Sequence, residues 1–302
     1  MVIGEILQEA SSLLAAHGLQ NARLDAALLL ACTLKTDRAG LIAGRRDTVA
    51  SADLEKFRGL LERRLQGECI AYILGHKEFF ALDFIVNRAV LVPRPETETL
   101  AEKALQILNS AGSLPGTSNK KPLRVLDLCT GSGAVAIALK HEMPRLEVWA
   151  SDISAEALEV AVQNSKKILG GGQPVHFLKS DLFNNMEQSG EKIKFSLVVS
   201  NPPYIPSDKI NALPPEVRNE PRLALDGGKD GLELIGRIIK EAPRHMDPHG
   251  VLILEADSGQ MPDITALFRE NNYCNIGIYR DLAGLDRVIS AEITGPPFGI
   301  NV

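Results

Sequence analysis

Cysteine and histidine are scarce in this sequence, and neither forms a metal-binding pattern. The four cysteines include no C-x-x-C pair; they are Cys32, Cys69, Cys129 and Cys274. The six histidines are also scattered; His245 and His249 are four residues apart, but the prolines beside them argue against a helix there. We therefore expect reduced thiols and no bound metal.

Long apolar runs are absent as well. No run approaches the roughly 18 residues that a membrane-spanning helix needs. Near the first residue, Glu5, Gln8 and Glu9 interrupt the apolar pattern that a signal peptide would show. The sequence therefore predicts a cytoplasmic protein without a membrane partner.

The sequence also lacks an excess of basic residues. Thirty-three Lys and Arg stand against 38 Asp and Glu, and the first 75 residues carry nine of each sign. Proteins that bind nucleic acid gain much of their affinity by neutralising phosphates with Lys and Arg. This charge balance argues against stable binding of nucleic acid.

What the sequence does contain is the composition of a folded protein with two domains. Apolar residues make up 45% and charged residues 24% of the 302 residues, which is more than one domain usually contains. Residues 1–75 show apolar residues at helical spacing and predict a small helical bundle that docks a partner. Residues 76–95, rich in aromatic and β-branched types, predict a β-hairpin linker. Residues 96–302 then form the second domain.

From residue 122 onward, strands and helices alternate. Such βα units predict a mainly parallel sheet with helices on both faces, an α/β fold of the Rossmann-like type. The last two strands, NIGIYRD and RVISAEI, are too close in sequence for a crossover helix. One of them must therefore run in the opposite direction, and we expect an antiparallel edge strand.

Two acids follow the first two strands of this domain. The first strand ends in the glycine-rich turn Asp127–Ala134, where backbone N–H groups can approach a ligand closely. The second strand ends at Asp152, 19 residues after Gly133, where a carboxylate can accept both ribose hydroxyls of a nucleoside. Asp127 favours S-adenosylmethionine over a nicotinamide dinucleotide, because a carboxylate suits a sulfonium and an ammonium better than a pyrophosphate.

The third strand ends in Ser180, Asp181, Leu182 and Phe183. Asp181 is a candidate acceptor for the amino group of adenine, and Leu182 or Phe183 is a candidate to cover its ring. The alternative is that Asp181 only caps the turn that follows.

The fourth strand is followed by Asn201-Pro202-Pro203-Tyr204. Two consecutive prolines fix φ and hold their carbonyl groups rigidly. The side-chain oxygen of Asn201 and the carbonyl of Pro202 can accept the two hydrogens of a planar amino group and aim its nitrogen at a methyl donor. Tyr204 can stack on the same plane. Catalysis of this kind uses positioning and polarisation rather than a strong base.

The segments DLCTGSG and NPPY, with Asp152 between them, resemble the S-adenosylmethionine-dependent methyltransferases that modify planar amino groups. Within that group the chain is similar, over nearly its whole length, to the release factor glutamine methyltransferases, the PrmC/HemK family. The segments that carry the resemblance include ARLDAALLLA, AYILGHKEFFALDFIVNRAVLVPRPETE, SNPPYIP, EPRLALDGGKDGL and RDLAGLDRV.

This resemblance implies methyl transfer to the side-chain amide of the glutamine in the Gly-Gly-Gln motif of peptide chain release factors. The N-terminal helical domain would help to grip the release factor. Substrate contacts are expected at Asn201, Pro202, Pro203 and Tyr204, with Asn201, Pro202 and Tyr204 acting in catalysis. The candidate residues for the cofactor, from the motifs and the resemblance together, are Asp127, Cys129, Thr130, Gly131, Ser132, Gly133, Asp152, Asp181, Leu182 and Asn201. The chain departs from the family at Cys129, where glycine is usual, and at Leu182, where some members have an aromatic residue.

Other functions remain open at this point. NPPY is shared with adenine-N6 methyltransferases of DNA, so methylation of DNA or RNA is one alternative. A glutamine methyltransferase for a ribosomal protein would share the catalytic domain and differ mainly in the N-terminal region. A binding module without activity is disfavoured, because Asp127, Asp152 and NPPY are all intact.

Overall fold

The structure is a computed structural model that describes residues 1–111, 122–172, 175–186 and 193–294. Its α-helices are α1 (Ile3–Ala16), α2 (Ala22–Leu34), α3 (Arg38–Ala43), α4 (Ser51–Leu65), α5 (Ile70–Leu74), α6 (Pro95–Ala111), α7 (Ala134–Glu142), α8 (Ala155–Leu169), α9 (Pro215–Arg218), α10 (Glu233–Glu241) and α11 (Met261–Glu270). Its strands are β1 (His76–Phe79), β2 (Leu82–Ile85), β3 (Arg124–Leu128), β4 (Glu147–Asp152), β5 (His176–Lys179), β6 (Phe195–Ser200), β7 (Met246–Glu255), β8 (Tyr273–Arg280) and β9 (Asp286–Ile293). Short 3₁₀ turns lie at Gly170–Gly172, Ile210–Ala212, Arg222–Ala224, Ala242–His245 and Ser258–Gln260.

The chain divides into two compact units. Unit 1 contains Met1–Gly75 together with Pro214–Asn219, and unit 2 contains His76–Leu213 together with Glu220–Val302. The boundaries predicted from the sequence, and the linker role predicted for residues 76–95, stay predictions.

Unit 1 is a helical bundle, as the sequence predicts. Leu14 of α1 and Leu30 of α2 are completely buried in its core. A buried arginine, Arg64 of α4, donates to Asp25 at 2.7 Å and to Glu216 at 2.5 Å. Because a buried ion pair is stable only when its hydrogen bonds are satisfied, these two acids offset the cost of burying the guanidinium.

Unit 2 is built on a seven-stranded sheet with the order β5-β4-β3-β6-β7-β9-β8. Neighbouring strands from β5 to β7 are parallel, and β9 runs antiparallel to both β7 and β8. The predicted α/β fold is therefore confirmed, but the position of the reversed strand is corrected. The reversed strand is β9, one place in from the edge, because the β8–β9 hairpin folds back so that β9 pairs with β7.

Two apolar cores cover the two faces of this sheet. One contains Leu100 of α6 and Val135 of α7, and the other contains Ile238 of α10 and Phe268 of α11. Successive residues of the central strand β3 divide between them, since Val125 belongs to the first core and Leu126 to the second. The alternation arises because successive side chains of a strand point to opposite faces of the sheet. The ends of the strands therefore lie between the two layers of helices.

The hairpin of β1 and β2 packs within unit 2. Phe79 and Phe84 meet edge to face, with their ring centroids 6.0 Å apart. Asn164 of α8 exchanges two hydrogen bonds with the backbone of Ile85, at 2.7 and 3.0 Å, and also donates to the carbonyl of Ser132 at 2.9 Å. One buried amide thus ties the hairpin to the glycine-rich turn.

In the described part of the chain, no helix is both long and apolar enough to cross a bilayer. Among the described helices the longest is α6, which has 17 residues and carries Glu96 and Glu98 in its first turn. The cytoplasmic location predicted from the sequence stays a prediction.

Candidate active site

A cavity of about 280 Å³ lies at the edge of the sheet where the parallel strands end. Loops after β3, β4, β5 and β6 all contribute to its lining. The predicted site residues that line it are Asp127, Cys129, Thr130, Gly131, Ser132, Asp152, Asp181, Leu182, Asn201 and Pro203. Three others, Gly133, Pro202 and Tyr204, are not among its lining residues. The sequence motifs therefore converge on one site, although not every motif residue reaches the cavity.

The glycine-rich turn after β3 is held by hydrogen bonds from its backbone N–H groups to the end of β4. Thr130 N donates to the carbonyl of Ser151 at 3.0 Å, and Gly131 N donates to Asp152 at 2.9 Å. Gly133 has a different role, because its φ is +80° and a Cβ there would lie 2.8 Å from Ile137 and 3.1 Å from Ala161. Gly133 therefore allows α7 and α8 to pack closely rather than lining the cavity.

A buried acid, Asp127, and a partly buried one, Asp152, give the cavity its electrostatic character. Asp127 is 2% exposed and accepts from the Thr130 hydroxyl at 2.6 Å and from Ala136 N at 3.2 Å. Burial raises the pKa of Asp127 to about 7, and burial also raises the pKa of Asp152. No described residue forms an ion pair with either acid. Such a site favours a ligand that brings positive charge, and S-adenosylmethionine fits this requirement.

Both arginines of the cavity wall are already paired. Arg94 donates to the buried carboxylate of Glu220 at 2.5 Å, and Arg237 donates to Asp181 at 2.9 Å. Asp181, the candidate acceptor for adenine, therefore has one oxygen engaged by an arginine. No sequence pattern indicates this pair, because Arg237 lies 56 residues further along the chain.

The apolar wall after β5 comes from Leu182 rather than Phe183. Leu182 lines the cavity and is 4% exposed, whereas Phe183 stacks on His245 with the ring centroids 4.6 Å apart. Of the two residues predicted to cover an adenine ring, the structure brings Leu182 to the cavity.

The NPPY segment is held at both ends by side chains from other elements. Asn201 Nδ2 donates to the hydroxyl of Thr97 in α6 at 3.2 Å. The Tyr204 hydroxyl donates to Glu255 at the end of β7 at 3.2 Å, and Gln260 donates to the carbonyl of Tyr204 at 2.9 Å. Because Thr97 occupies the Nδ2 side of the carboxamide, the Asn201 oxygen is left for the cavity that this residue lines.

The segment EPRLALDGGKDGL contains Gly231, and the structure shows why a glycine is needed at this position. Its φ is +77°, and a Cβ there would collide with the carbonyl oxygen of Tyr204. The backbone after the NPPY segment therefore packs against a residue without a side chain.

Comparison with known proteins agrees with this geometry. Residues 5–75 match the family model for the PrmC N-terminal domain, and residues 112–213 match that for the Methyltransferase small domain. The release factor glutamine methyltransferase of Geobacter sulfurreducens is 37% identical over 292 residues, 96% of each chain. The release factor glutamine methyltransferase of Moorella thermoacetica is 38% identical over 292 residues, which are 96% of this chain and 98% of that one. The chain belongs to the release factor glutamine methyltransferase family.

A solved structure supports the fold independently. The hMettl16 catalytic domain, crystallised with MAT2A 3′UTR hairpin 6, aligns with a TM-score of 0.54 over 80% of this chain and 83% of that one. At 12% identity this likeness shows the fold alone.

The backbone explains the family's usual glycine at the position of Cys129. Cys129 has φ at +57°, in the left-handed region that glycine occupies without strain. Burial raises the pKa of its thiol, so the group lining the cavity is a neutral thiol. The cysteine is therefore accommodated in the conformation that the family glycine would adopt.

The described residues contain no group of three His, Cys, Asp or Glu side chains that could hold a metal ion. The polar side chains that line the cavity are carboxylates, the Asn201 carboxamide, several hydroxyl groups and the two paired arginines.

Proposed function

We propose that this protein transfers a methyl group from S-adenosylmethionine to the side-chain amide nitrogen of the glutamine in the Gly-Gly-Gln motif of peptide chain release factors. The observation that carries the proposal is that one cavity combines two carboxylates without ion pairs and the carboxamide of an NPPY segment. The name shared by relatives of nearly the same length supports a release factor as the acceptor.

On one side of the cavity, the residues after β3 and β4 hold the methyl donor. S-adenosylmethionine supplies a methyl group activated by its sulfonium. Asp127 offers negative charge, which favours a cationic ligand over a neutral one. The Asp152 carboxylate is fixed by Gly131 N and Ser154 N, each at 2.9 Å, and offers its remaining lone pairs to ribose hydroxyls. Leu182 supplies the apolar cover for the base.

On the other side, Asn201 and Pro202 orient the acceptor. A carboxamide nitrogen is a weak nucleophile, because its lone pair is delocalised into the carbonyl. The Asn201 oxygen and the Pro202 carbonyl accept its two hydrogens, and both bonds strengthen as the nitrogen gains positive character. The Tyr204 hydroxyl is tied to Glu255, and because Tyr204 does not line the cavity, stacking of its ring on the planar amide stays a prediction.

The helical unit 1 is proposed to bind the release factor itself. It has its own core, and its sequence matches the PrmC N-terminal domain. With nine residues of each charge in residues 1–75, a protein partner suits it better than a nucleic acid. We propose that neither nucleic acid nor a membrane is a stable partner.

The test is to incubate the protein with labelled S-adenosylmethionine and purified release factor, ribosomal proteins, DNA or RNA. We expect label in the glutamine of the Gly-Gly-Gln motif and no label in a release factor in which that glutamine is replaced. Label in adenine of DNA or RNA, or in a ribosomal protein but not in the release factor, would overturn the proposal.

A further inference from the structure

Glu255 is a buried acid next to the NPPY segment to which the reaction described above gives no role. It ends β7, one position beyond the paired residues Ser200 and Leu254, and is 1% exposed. Its Oε1 accepts from Tyr204 at 3.2 Å, whereas Oε2 has no hydrogen-bond partner among the described residues. Buried polar atoms normally have partners, because burying them unpaired is costly. An acid kept in this state calls for a functional explanation.

Thr97 is hydrogen-bonded to Asn201 and is also close enough to Glu255 to lower the pKa of that acid. It is 4% exposed, and its hydroxyl oxygen accepts from Asn201 Nδ2 at 3.2 Å. A hydroxyl has one hydrogen, and because the Thr97 oxygen is the acceptor for Asn201, that hydrogen is not used in this contact. Burial raises the pKa of Glu255, and of the neighbours that oppose this, the Thr97 hydroxyl has the largest effect. The hydroxyl therefore lies close to the carboxylate, although the two side chains form no hydrogen bond in the structure.

We propose that Thr97 and Glu255 are positioning residues that set the polarity of the Asn201 carboxamide, so that its oxygen and not its nitrogen faces the substrate. The inference rests on the proposed function, since an acceptor is needed there only for a substrate that donates N–H groups. A carboxamide turned by 180° would oppose N–H to N–H and would not hold the substrate amide.

In this proposal the charge of Glu255 decides the direction of the polar chain that runs from Glu255 through Thr97 to Asn201. An ionised carboxylate can only accept, so it attracts the hydrogen of the Thr97 hydroxyl and leaves the hydroxyl oxygen to accept from Asn201. A protonated Glu255 can donate to Thr97, which frees the Thr97 hydrogen for the Asn201 oxygen and reverses the chain. The carboxamide is then free to present its nitrogen to the cavity.

The surroundings of Glu255 bring its titration close to neutral pH. Burial and the charge of Glu96 raise its pKa, and Thr97, Arg287 of β9 and Tyr204 lower it, leaving the pKa at about 7. Arg287 is itself paired with Asp281 at 3.3 Å, so its position beside the acid is fixed. Methyl transfer should therefore lose rate as the pH is lowered through about 7.

The experiment measures kcat against pH on intact release factor, with both substrates saturating, for the parent protein and for Glu255→Gln. A cationic ligand keeps Asp127 ionised, so saturation removes the titration of Asp127 from the profile. We expect the parent kcat to be about tenfold higher at pH 8 than at pH 6. In Glu255→Gln this ratio should be close to one, because an amide does not titrate there. The affinities of the parent and of Glu255→Gln for S-adenosylmethionine, measured by calorimetry, should agree within about twofold.

Variants of Thr97 provide the second arm. Thr97→Val keeps the shape but removes the hydroxyl, and should lower kcat by about tenfold. Thr97→Ser, which restores the hydroxyl, should recover most of that loss. The inference would be overturned, while the proposed function stands, if kcat of Glu255→Gln still fell between pH 8 and pH 6 as it does in the parent. It would also be overturned if Thr97→Val kept the kcat of the parent. A parent protein that does not methylate release factor at any pH would overturn both.

Discussion

The loop after β3 and the loop after β6 line the same cavity, but they are held in place by different means. The first is fixed through its own backbone N–H groups, which donate to the carbonyl of Ser151 and the carboxylate of Asp152, and it lies beside the buried acid Asp127. The second is fixed by side chains, Thr97 and Glu255, that come from two other elements. This difference indicates that one side binds through charge and the other orients through the direction of hydrogen bonds. The two sides should therefore fail differently when they are mutated.

The largest expected effect is on the orienting side, at Asn201. Asn201→Ala leaves one substrate N–H without its acceptor in the cavity, a loss of about 2.7–4 kcal/mol by analogy with an oxyanion-hole donor. Methyl transfer should slow by about 10²–10³ in single-turnover assays, with a much smaller change in affinity for S-adenosylmethionine. Asn201→Asp keeps two acceptor oxygens and should retain more activity than the alanine variant. An alanine variant with nearly the parent rate would remove Asn201 from the reaction.

A second effect concerns stability, again on the orienting side. Between pH 4.5 and 7 the folded protein holds a proton on Glu255 that the unfolded chain has already lost, because folding raises this pKa from 4.5 to about 7. The contribution of Glu255 to stability is therefore present below pH 4.5 and declines as the pH rises through 7. At about 1.4 kcal/mol for each pKa unit, the loss amounts to about 3 kcal/mol.

Glu255→Gln removes this decline. Its free energy of unfolding relative to the parent should rise by about 3 kcal/mol between pH 4.5 and pH 8, as measured by urea denaturation. Asp127 titrates in both proteins and cancels in the difference. A difference that is the same at both pH values would show that Glu255 is not buried as described.

On the binding side, Asp127→Asn should weaken binding of S-adenosylmethionine. Hydrogen bonds and contacts to charged groups contribute about 1.5–3 kcal/mol, so the Kd should rise by about 10–100-fold. Asp181→Asn is the matched control, because Asp181 is already paired with Arg237 and lies in a more exposed position. Its effect on the Kd, measured by calorimetry, should be smaller. The reverse order would contradict the charge argument.

The smallest expected effect is at Cys129, where the left-handed backbone disfavours a side chain. Cys129→Gly should raise the free energy of unfolding by about 0.5–1 kcal/mol, since relief of strain exceeds the added freedom of the unfolded chain. Cys274→Gly is the matched control, because Cys274 lies in β8 without a positive φ, and it should lose stability. Equal losses in the two variants would show that Cys129 is not strained.

The same difference decides what could be predicted from the sequence. Asp127, Asp152 and Asn201 each lie at or directly after the end of a buried apolar strand, so their meeting at one edge follows from the parallel sheet alone. Thr97 could not be found in this way, because it lies 104 residues before Asn201 and is joined to it by a side-chain hydrogen bond. Glu255 offered only a weak signal, an acid directly after the apolar run of its strand.

Two further differences have physical reasons. Gly133 belongs to the glycine motif, but a motif does not distinguish a glycine that lines a cavity from one that lets two helices approach, as its contacts with Ile137 and Ala161 reveal. The reversed strand could be predicted from the short connection between the last two strands. Its place could not, because the connection does not determine which of the two strands pairs with β7.

The most direct test of the division between binding and orientation is a pair of measurements on the same two variants. The affinity for S-adenosylmethionine and the single-turnover rate of release factor methylation at saturating S-adenosylmethionine would be measured for Asp127→Asn and Asn201→Ala. We expect Asp127→Asn to lose affinity and keep most of its rate, and Asn201→Ala to lose rate and keep most of its affinity. A parallel loss of both quantities in both variants would contradict the division.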